Sequence, residues 1–243
     1  MQMSGTIEFF SIQHFLMLFV ILVLMILGFL YVRKNKSNSR KIHIFLVVLS
    51  IILLIMWIAC RVSHVYHSMD EGIIEDFFGE ERTYNWFMLL PNSFCSLIGL
   101  VVPFIIIFKK YKNNKFLESV YSMAIIGLLT NTIYPEYMFR MPFFQFRTCG
   151  SIIYHVLMGF IVLVLLYLKE LNPQLKNWYY TPISLSLMIT LGVFELIYLN
   201  LPEAFNISKP LVPGVGVTTV GFLCIGYIVI DIVCRLIIHN KVR

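Results

Sequence analysis

Seven long apolar runs, at about 9–32, 42–64, 86–108, 116–134, 149–168, 181–201 and 211–238, leave few folds open to this chain. A helix rises 1.5 Å per residue, so about 20 apolar residues cover a hydrocarbon core of ~30 Å. Within lipid every backbone N–H and C=O needs an internal partner, which a helix supplies from its own segment. The runs predict an all-α, polytopic transmembrane helix bundle of about seven spans, forming one transmembrane domain over 1–243. Composition agrees: 59% of residues are hydrophobic and 13% charged, against roughly 25% charged in soluble domains. The run at 116–134 holds Glu118, Thr130 and Asn131 and is expected to be short or partly buried against its neighbours.

The basic residues set the expected orientation. Fourteen of the 19 Lys and Arg fall in Arg33 to Lys41, in Lys109 to Lys115, at Lys169 and Lys176, and at Arg235, Lys241 and Arg243. The other side receives Arg61, Arg82, Arg140, Arg147 and Lys209. The richer side belongs in the cytoplasm, which puts the N-terminus outside and the C-terminus inside a multi-pass protein of the cell membrane. The first run follows Glu8 without a basic leader and is too long for a signal-peptide core, so it is read as a retained span. The formal charge of +6 is confined to these tracts and reads as topology and lipid contact rather than nucleic-acid binding.

The loop after the second run contains Asp70, Glu71, Glu75, Asp76, Glu80 and Glu81, nearly half of the 13 acids. It lacks the spacing of a calcium loop and reads as solvated. Tyr134 to Arg147, rich in Phe, Pro and Arg, reads as an interfacial or re-entrant loop. The five cysteines are scattered without metal or disulfide spacing, and no metal is expected. A retinal Schiff base needs a buried lysine, which 211–234 does not contain, and no other cofactor is indicated.

Ionisable groups inside a membrane face the bundle interior, pair, or perform chemistry. Here they gather in the expected outer half: His14, Arg61, His64, Asn92, Cys95, Asn131, His155, Glu195 and Asn200. Arg61 and His64 lie one turn apart, as do Asn92 and Cys95, so each pair shares a helix face. Cys95 and His155 fall at similar depths, ~9–13 Å below the outer edge. That depth is compatible with a thiolate nucleophile activated by an imidazole base, with Arg61, Arg147 or Asn92 holding an oxyanion or a lipid phosphate. The plainer readings are a packing cysteine, a satisfied buried histidine, and a Glu195 that is either protonated or paired with Arg61. Asp231 and Arg235, four apart, form a structural pair. Pro213, Gly214, Gly216 and Pro103 read as bends or close-packing points.

The order of motifs resembles the YwaF-like family of bacterial integral membrane proteins, distantly similar to eukaryotic phospholipid-remodelling transmembrane acyltransferases. The resemblance rests on Phe-Ser-Ile-Gln-His-Phe-Leu (10–16), on Leu-Pro-Asn-Ser-Phe-Cys (90–95), and on Phe-Phe-Gln-Phe-Arg (143–147) followed by His155. Tyr-Pro-Glu-Tyr (134–137) is similar to the family's Pro-acidic turn. Ser93 stands where the family pattern has a His, so His64 or His155 has to supply the base. After about residue 170 there is little to match. The resemblance implies a seven-span bundle with Cys, His and Arg near the outer leaflet, and acyl transfer through a cysteine thioester.

Three functional readings follow. The first is a lipid acyltransferase or transacylase with Cys95 and His155 catalytic, and with Arg61, His64, Asn92, Arg140, Arg147, Glu195 and His14 around a phospholipid or lipid-like substrate. The second is a transporter or channel lined by Arg61, His64, His155 and Glu195. The third is a non-enzymatic assembly or lipid-binding protein in which these groups hold helices together. Membrane lipids are the expected partners in each.

Overall fold

A computed structural model of the chain describes residues 11–68, 73–75, 81–83, 85–134, 146–201, 204–207 and 219–242. Seven α-helices follow in order: α1 (Ile12–Lys34), α2 (Ser39–Ser68), α3 (Phe94–Ile107), α4 (Lys115–Ile133), α5 (Phe146–Tyr167), α6 (Tyr180–Tyr198) and α7 (Thr219–Val242). Six are long and apolar enough to cross a membrane; α3, with 14 residues, is shorter. Side chains such as Phe19, Leu24, Ile55, Leu187 and Ile225 stay exposed along these helices, as lipid-facing surface requires. Between α2 and α3 a two-stranded antiparallel ribbon, β1 (Ile73–Glu75) and β2 (Glu81–Thr83), pairs Ile74 with Arg82. Sequence reading expected only a solvated loop there.

Backbone contacts divide the chain into two compact units. The first comprises Met1–Cys60, Ile98–Asn114 and Ala124–Leu171, and the second Arg61–Leu97, Lys115–Met123 and Asn172–Arg243. In the first, small residues let helices approach closely. A Cβ built on Gly159 of α5 would sit 2.4 Å from Leu128 Cβ and 2.9 Å from the Ala124 carbonyl of α4. Phe29 of α1 meets Phe160 and Tyr167 of α5 edge-on, at 5.1 and 6.0 Å between ring centroids. Helices α3 and α5 both end in a left-handed lysine, Lys109 and Lys169, with φ of 54° and 60°. The N–H of the next residue reaches back five, Lys110 to Ile105 and Glu170 to Leu165, closing the orphan carbonyls in Schellman fashion.

The second unit is organised by charge. Arg235 of α7 is fully buried, as is Asp231 one turn before it, and Glu118 of α4 is nearly so. Arg235 Nε donates to Asp231 Oδ2 at 2.7 Å and Nη1 to Glu118 Oε1 at 2.9 Å. Its remaining donors reach the backbone carbonyls of Gln174 (2.8 Å) and Glu118 (2.7 Å). Glu118 also accepts from the Gln174 N–H and the Asn177 amide. Thr181 of α6 donates to Asp231 at 2.8 Å, Ser184 to Ser119 at 2.6 Å, and the Arg235 guanidinium lies 5.6 Å from the Tyr121 ring. The expected Asp231–Arg235 pair is thus part of a larger cluster joining α4, α6, α7 and the turn at Leu175–Asn177.

The third run departs from its expected form. Instead of a helix over 86–108, a 3-10 turn at Trp86–Leu89 precedes an extended break, and α3 starts at Phe94. Proline 91 offers no N–H to continue a helix. The carbonyls of Met88 and Leu90 are meanwhile taken by Arg61 Nη2. What remains of α3 is about 21 Å long. Helix α4, the doubtful fourth run, is intact. Thr130, Asn131 and Thr132 direct their side chains onto carbonyls of the preceding turn of α4 itself, which satisfies these polar groups without an external partner.

Replacing Arg235 by Met strands two buried carboxylates and is expected to destabilise the protein by about 3–5 kcal/mol. Thermal unfolding in detergent measures this. Adding Glu118→Gln and Asp231→Asn to the same chain recovers much of the loss, whereas a purely steric role for Arg235 predicts no recovery.

Candidate functional site

The polar residues expected in the outer half fall into two groups. Arg61, Asn92, Cys95 and Glu195 lie in the second unit, while His14 and His155 lie in the first. His64 is on α2 and Arg147 on α5, with side chains outside the described residues, and Arg140 lies outside them altogether, as does most of the Tyr134–Arg147 loop.

In the second unit the centre of the site is the last part of α2. Arg61, 9% exposed, donates through Nη1 to Asn92 Oδ1 at 2.8 Å and through Nη2 to the Met88 and Leu90 carbonyls, the latter at 2.6 Å. A planar guanidinium with several fixed donors suits this task, because it gathers three acceptors from one short segment. The Asn92 carbonyl then accepts from the Phe205 N–H at 2.7 Å. Asn85 Nδ2 reaches the Leu199 carbonyl beyond the end of α6 at 3.0 Å. The segment 85–93 is therefore pinned on one side by Arg61 and on the other by the chain after α6.

That pinning places the start of α3. Ser93 accepts the Ser96 N–H on its hydroxyl at 3.2 Å and acts as the N-cap. Cys95 follows two residues later, in the first turn of α3. Phe94 packs edge-on against Phe205 (5.4 Å) and Tyr227 of α7 (5.7 Å). Cys95 and the Tyr227 phenol are electrostatic neighbours.

Glu195 of α6 completes this region. It is 0% exposed, and neither carboxyl oxygen has a hydrogen-bond partner among the described residues. Arg61 is the charge that acts on it. One turn earlier, a Cβ on Gly192 would come within 2.8 Å of Phe205 and Ile207, so only glycine admits the Phe205 turn against α6. Phe205 itself adopts φ 50°, a left-handed conformation unusual for a bulky residue.

In the first unit His155 of α5 directs Nδ1 to the Ser151 carbonyl at 2.7 Å. A carbonyl only accepts, so Nδ1 carries the proton and Nε2 is left as the basic nitrogen. His14 lies in the first turn of α1, 1% exposed, with its N–H capped by the Ser11 hydroxyl at 3.3 Å. Among the described residues no three His, Cys, Asp or Glu side chains are grouped to hold a metal ion.

Sequence reasoning missed Phe205 and Tyr227, which carry no intramembrane charge to draw attention. It also missed that Glu118 completes the Arg235 cluster. The clue was present: an acid in the fourth run and an unspent guanidinium face in the seventh.

The model of the TMEM164 family matches residues 9–207, and the chain belongs to that family. No curated protein and no solved structure matches it.

Two substitutions separate the roles of Arg61 and Glu195. Arg61→Met frees three acceptors and is expected to open the 85–93 segment to protease while lowering the thermal midpoint. Glu195→Gln removes a buried charge that has no hydrogen bond to lose, so it should leave stability unchanged or raise it by up to about 2 kcal/mol. A loss comparable to that of Arg61→Met would show that the two act as one structural pair.

Proposed function

We propose that this member of the TMEM164 family is a membrane-embedded enzyme of lipid metabolism, a lipid acyltransferase or transacylase with Cys95 as nucleophile and His155 as general base. The family membership and the apolar helices make the chain a multi-pass integral membrane protein. The positive-inside rule supports an outside N-terminus and a cytoplasmic C-terminus in the cell membrane. On that orientation the site works near the outer leaflet.

The observation that carries the reading is Cys95 in the first turn of α3, two residues beyond its cap, next to a segment fixed by Arg61 and Asn92. In the reaction, the Cys95 thiolate adds to the ester carbonyl of a donor phospholipid. The tetrahedral intermediate collapses to a thioester, and the departing lysophospholipid oxygen takes the proton that the Cys95 thiol had given to the general base. An acceptor hydroxyl then gives its proton to the general base and attacks the thioester, which returns the new ester and the thiolate. The Nδ1 bond to Ser151 fixes the tautomer this cycle needs. Arg140 and Arg147 serve the headgroup phosphate, for which guanidinium is suited, while Arg61 and Asn92 hold the segment beside Cys95.

Incubation of purified protein with membrane phospholipids should yield a hydroxylamine-labile acyl group on Cys95, read by mass spectrometry of its peptide. Cys95→Ala abolishes the adduct and the transfer, and His155→Ala slows transfer by roughly 10²–10⁴-fold. Transfer that survives Cys95→Ala at the same rate removes the nucleophile.

A second reading, a proton-coupled transporter, is favoured by Glu195, a buried acid with no hydrogen-bond partner among the described residues. It predicts solute-dependent proton flux in vesicles that Glu195→Gln eliminates. An acyltransferase leaves the vesicle gradient unaltered by either form.

A further inference from the structure

At the opposite end of α7 from the Phe205 turn, the second unit contains a cavity of about 620 Å³. Asn172, Pro173, Leu175, Lys176, Trp178 and Ile238 line it, together with Gln174. We propose that this cavity is a binding site for one anionic phospholipid at the membrane interface, distinct from the Cys95 region and independent of its chemistry.

Three features of the site point to this occupant. First, its wall is amphipathic in the way a lipid is. Pro173, Leu175, Trp178 and Ile238 present apolar surface suited to an acyl chain and glycerol backbone, while Lys176 and Asn172 supply polar ends. Trp and Lys are residue types that sit at headgroup depth, ring in the interface and ammonium in water. Trp178 and its neighbour Tyr179 are both more than two-fifths exposed.

Second, the charge on the cavity wall itself is positive. Lys176 is the one charged residue between Asn172 and Thr181. Glu118, which bonds this turn, and Asp231 are buried and already bound to Arg235, and Glu170, two residues before Asn172, belongs to the first unit. Lys115 adds a second cation at the start of α4, its ammonium 5.9 Å from the Tyr180 ring. A zwitterionic headgroup would bring its own ammonium beside Lys176 with no exposed acid in 172–181 to receive it. A free phosphate would satisfy Lys176 and leave the apolar wall uncovered. A phospholipid of net negative charge satisfies both parts of the cavity.

Third, the cavity is preorganised. Gln174 on its rim is held by its carbonyl to Arg235 Nη1 (2.8 Å) and by its N–H to Glu118 Oε1 (3.0 Å). Asn177, in the same turn, donates to Glu118 at 3.0 Å. A connection fixed to a buried ion cluster loses little further freedom when a ligand enters, and that favours binding. The same bonds make the lipid's effect reach inward: an occupant that braces the 172–178 turn braces the contact between α4 and α7.

The test uses the full chain with Trp57→Phe and Trp86→Phe, so that Trp178 is the one emitter of the three tryptophans. In mixed detergent micelles, phosphatidylglycerol with brominated acyl chains should quench Trp178 at lower mole fraction than equally brominated phosphatidylcholine. Lys176→Gln should cut that preference roughly fivefold, the worth of one basic residue near anionic lipid, while Lys176→Arg keeps it. Lys176 is exposed, so the unliganded thermal midpoint stays put in both variants. Phosphatidylglycerol should raise the wild-type midpoint and not that of Lys176→Gln. Equal quenching by the two lipids, a preference untouched by Lys176→Gln, or displacement of the brominated lipid by soluble glycerol phosphate would each overturn the proposal.

Discussion

The guanidinium of Arg235 is the group on which the second unit depends. A charge taken out of water costs several kcal/mol unless geometry and hydrogen bonding compensate, and Arg235 is wholly buried with donors on two carboxylates and two carbonyls. Because those partners come from α4, α7 and the turn before α6, satisfying one side chain fixes three elements. Thr181, Ser119 and Ser184 extend the same cluster with neutral hydrogen bonds. Lipid offers no substitute partners to this cluster, so the alternative to forming it is an unpaired ion.

Arg61 solves a different problem with the same chemistry. Interrupting a helix inside a membrane exposes carbonyls that water cannot reach, and Arg61 collects two of them together with the Asn92 side chain. This interruption shortens α3 and brings Cys95 into a helix first turn rather than a helix interior. A packing cysteine and a nucleophilic one have the same composition signature; position relative to a helix terminus is what distinguishes their electrostatics. The tie from Asn92 to Phe205 and the close approach at Gly192 then hold the chain after α6 against the same segment. Glu195 stands under this construction with neither carboxyl oxygen hydrogen-bonded among the described residues, a costly arrangement for a buried acid.

Much of the architecture was legible beforehand because transmembrane length and polarity are properties of contiguous sequence. The helices α1, α2, α4, α5 and α6 lie close to the expected runs, and the expected i,i+4 pair of Asp231 and Arg235 forms. Arg61 and Asn92, each read from the sequence as part of a polar helix face, meet in a 2.8 Å hydrogen bond. The third run was misread because hydropathy is blind to the direction of carbonyls: Pro91 signalled a break, but only a distant guanidinium makes that break stable in an apolar stretch. The short ribbon at Ile73–Thr83 was hidden by its acidic composition.

The sequence by itself determined that this is a multi-pass helical membrane protein, since 20-residue apolar runs have no other stable state in their solvent. It also determined which ionisable groups lie inside the membrane, because a charge within such a run has nowhere else to be. Tertiary structure decided which of those charges compensate one another. Glu118 and Arg235 are 117 residues apart, and no periodicity links them; only the packing of α4 against α7 creates the pair. The same packing leaves Glu195 without a hydrogen bond and sets Cys95 at a helix start, because pairing inside lipid is governed by reach across helices and not by order along the chain.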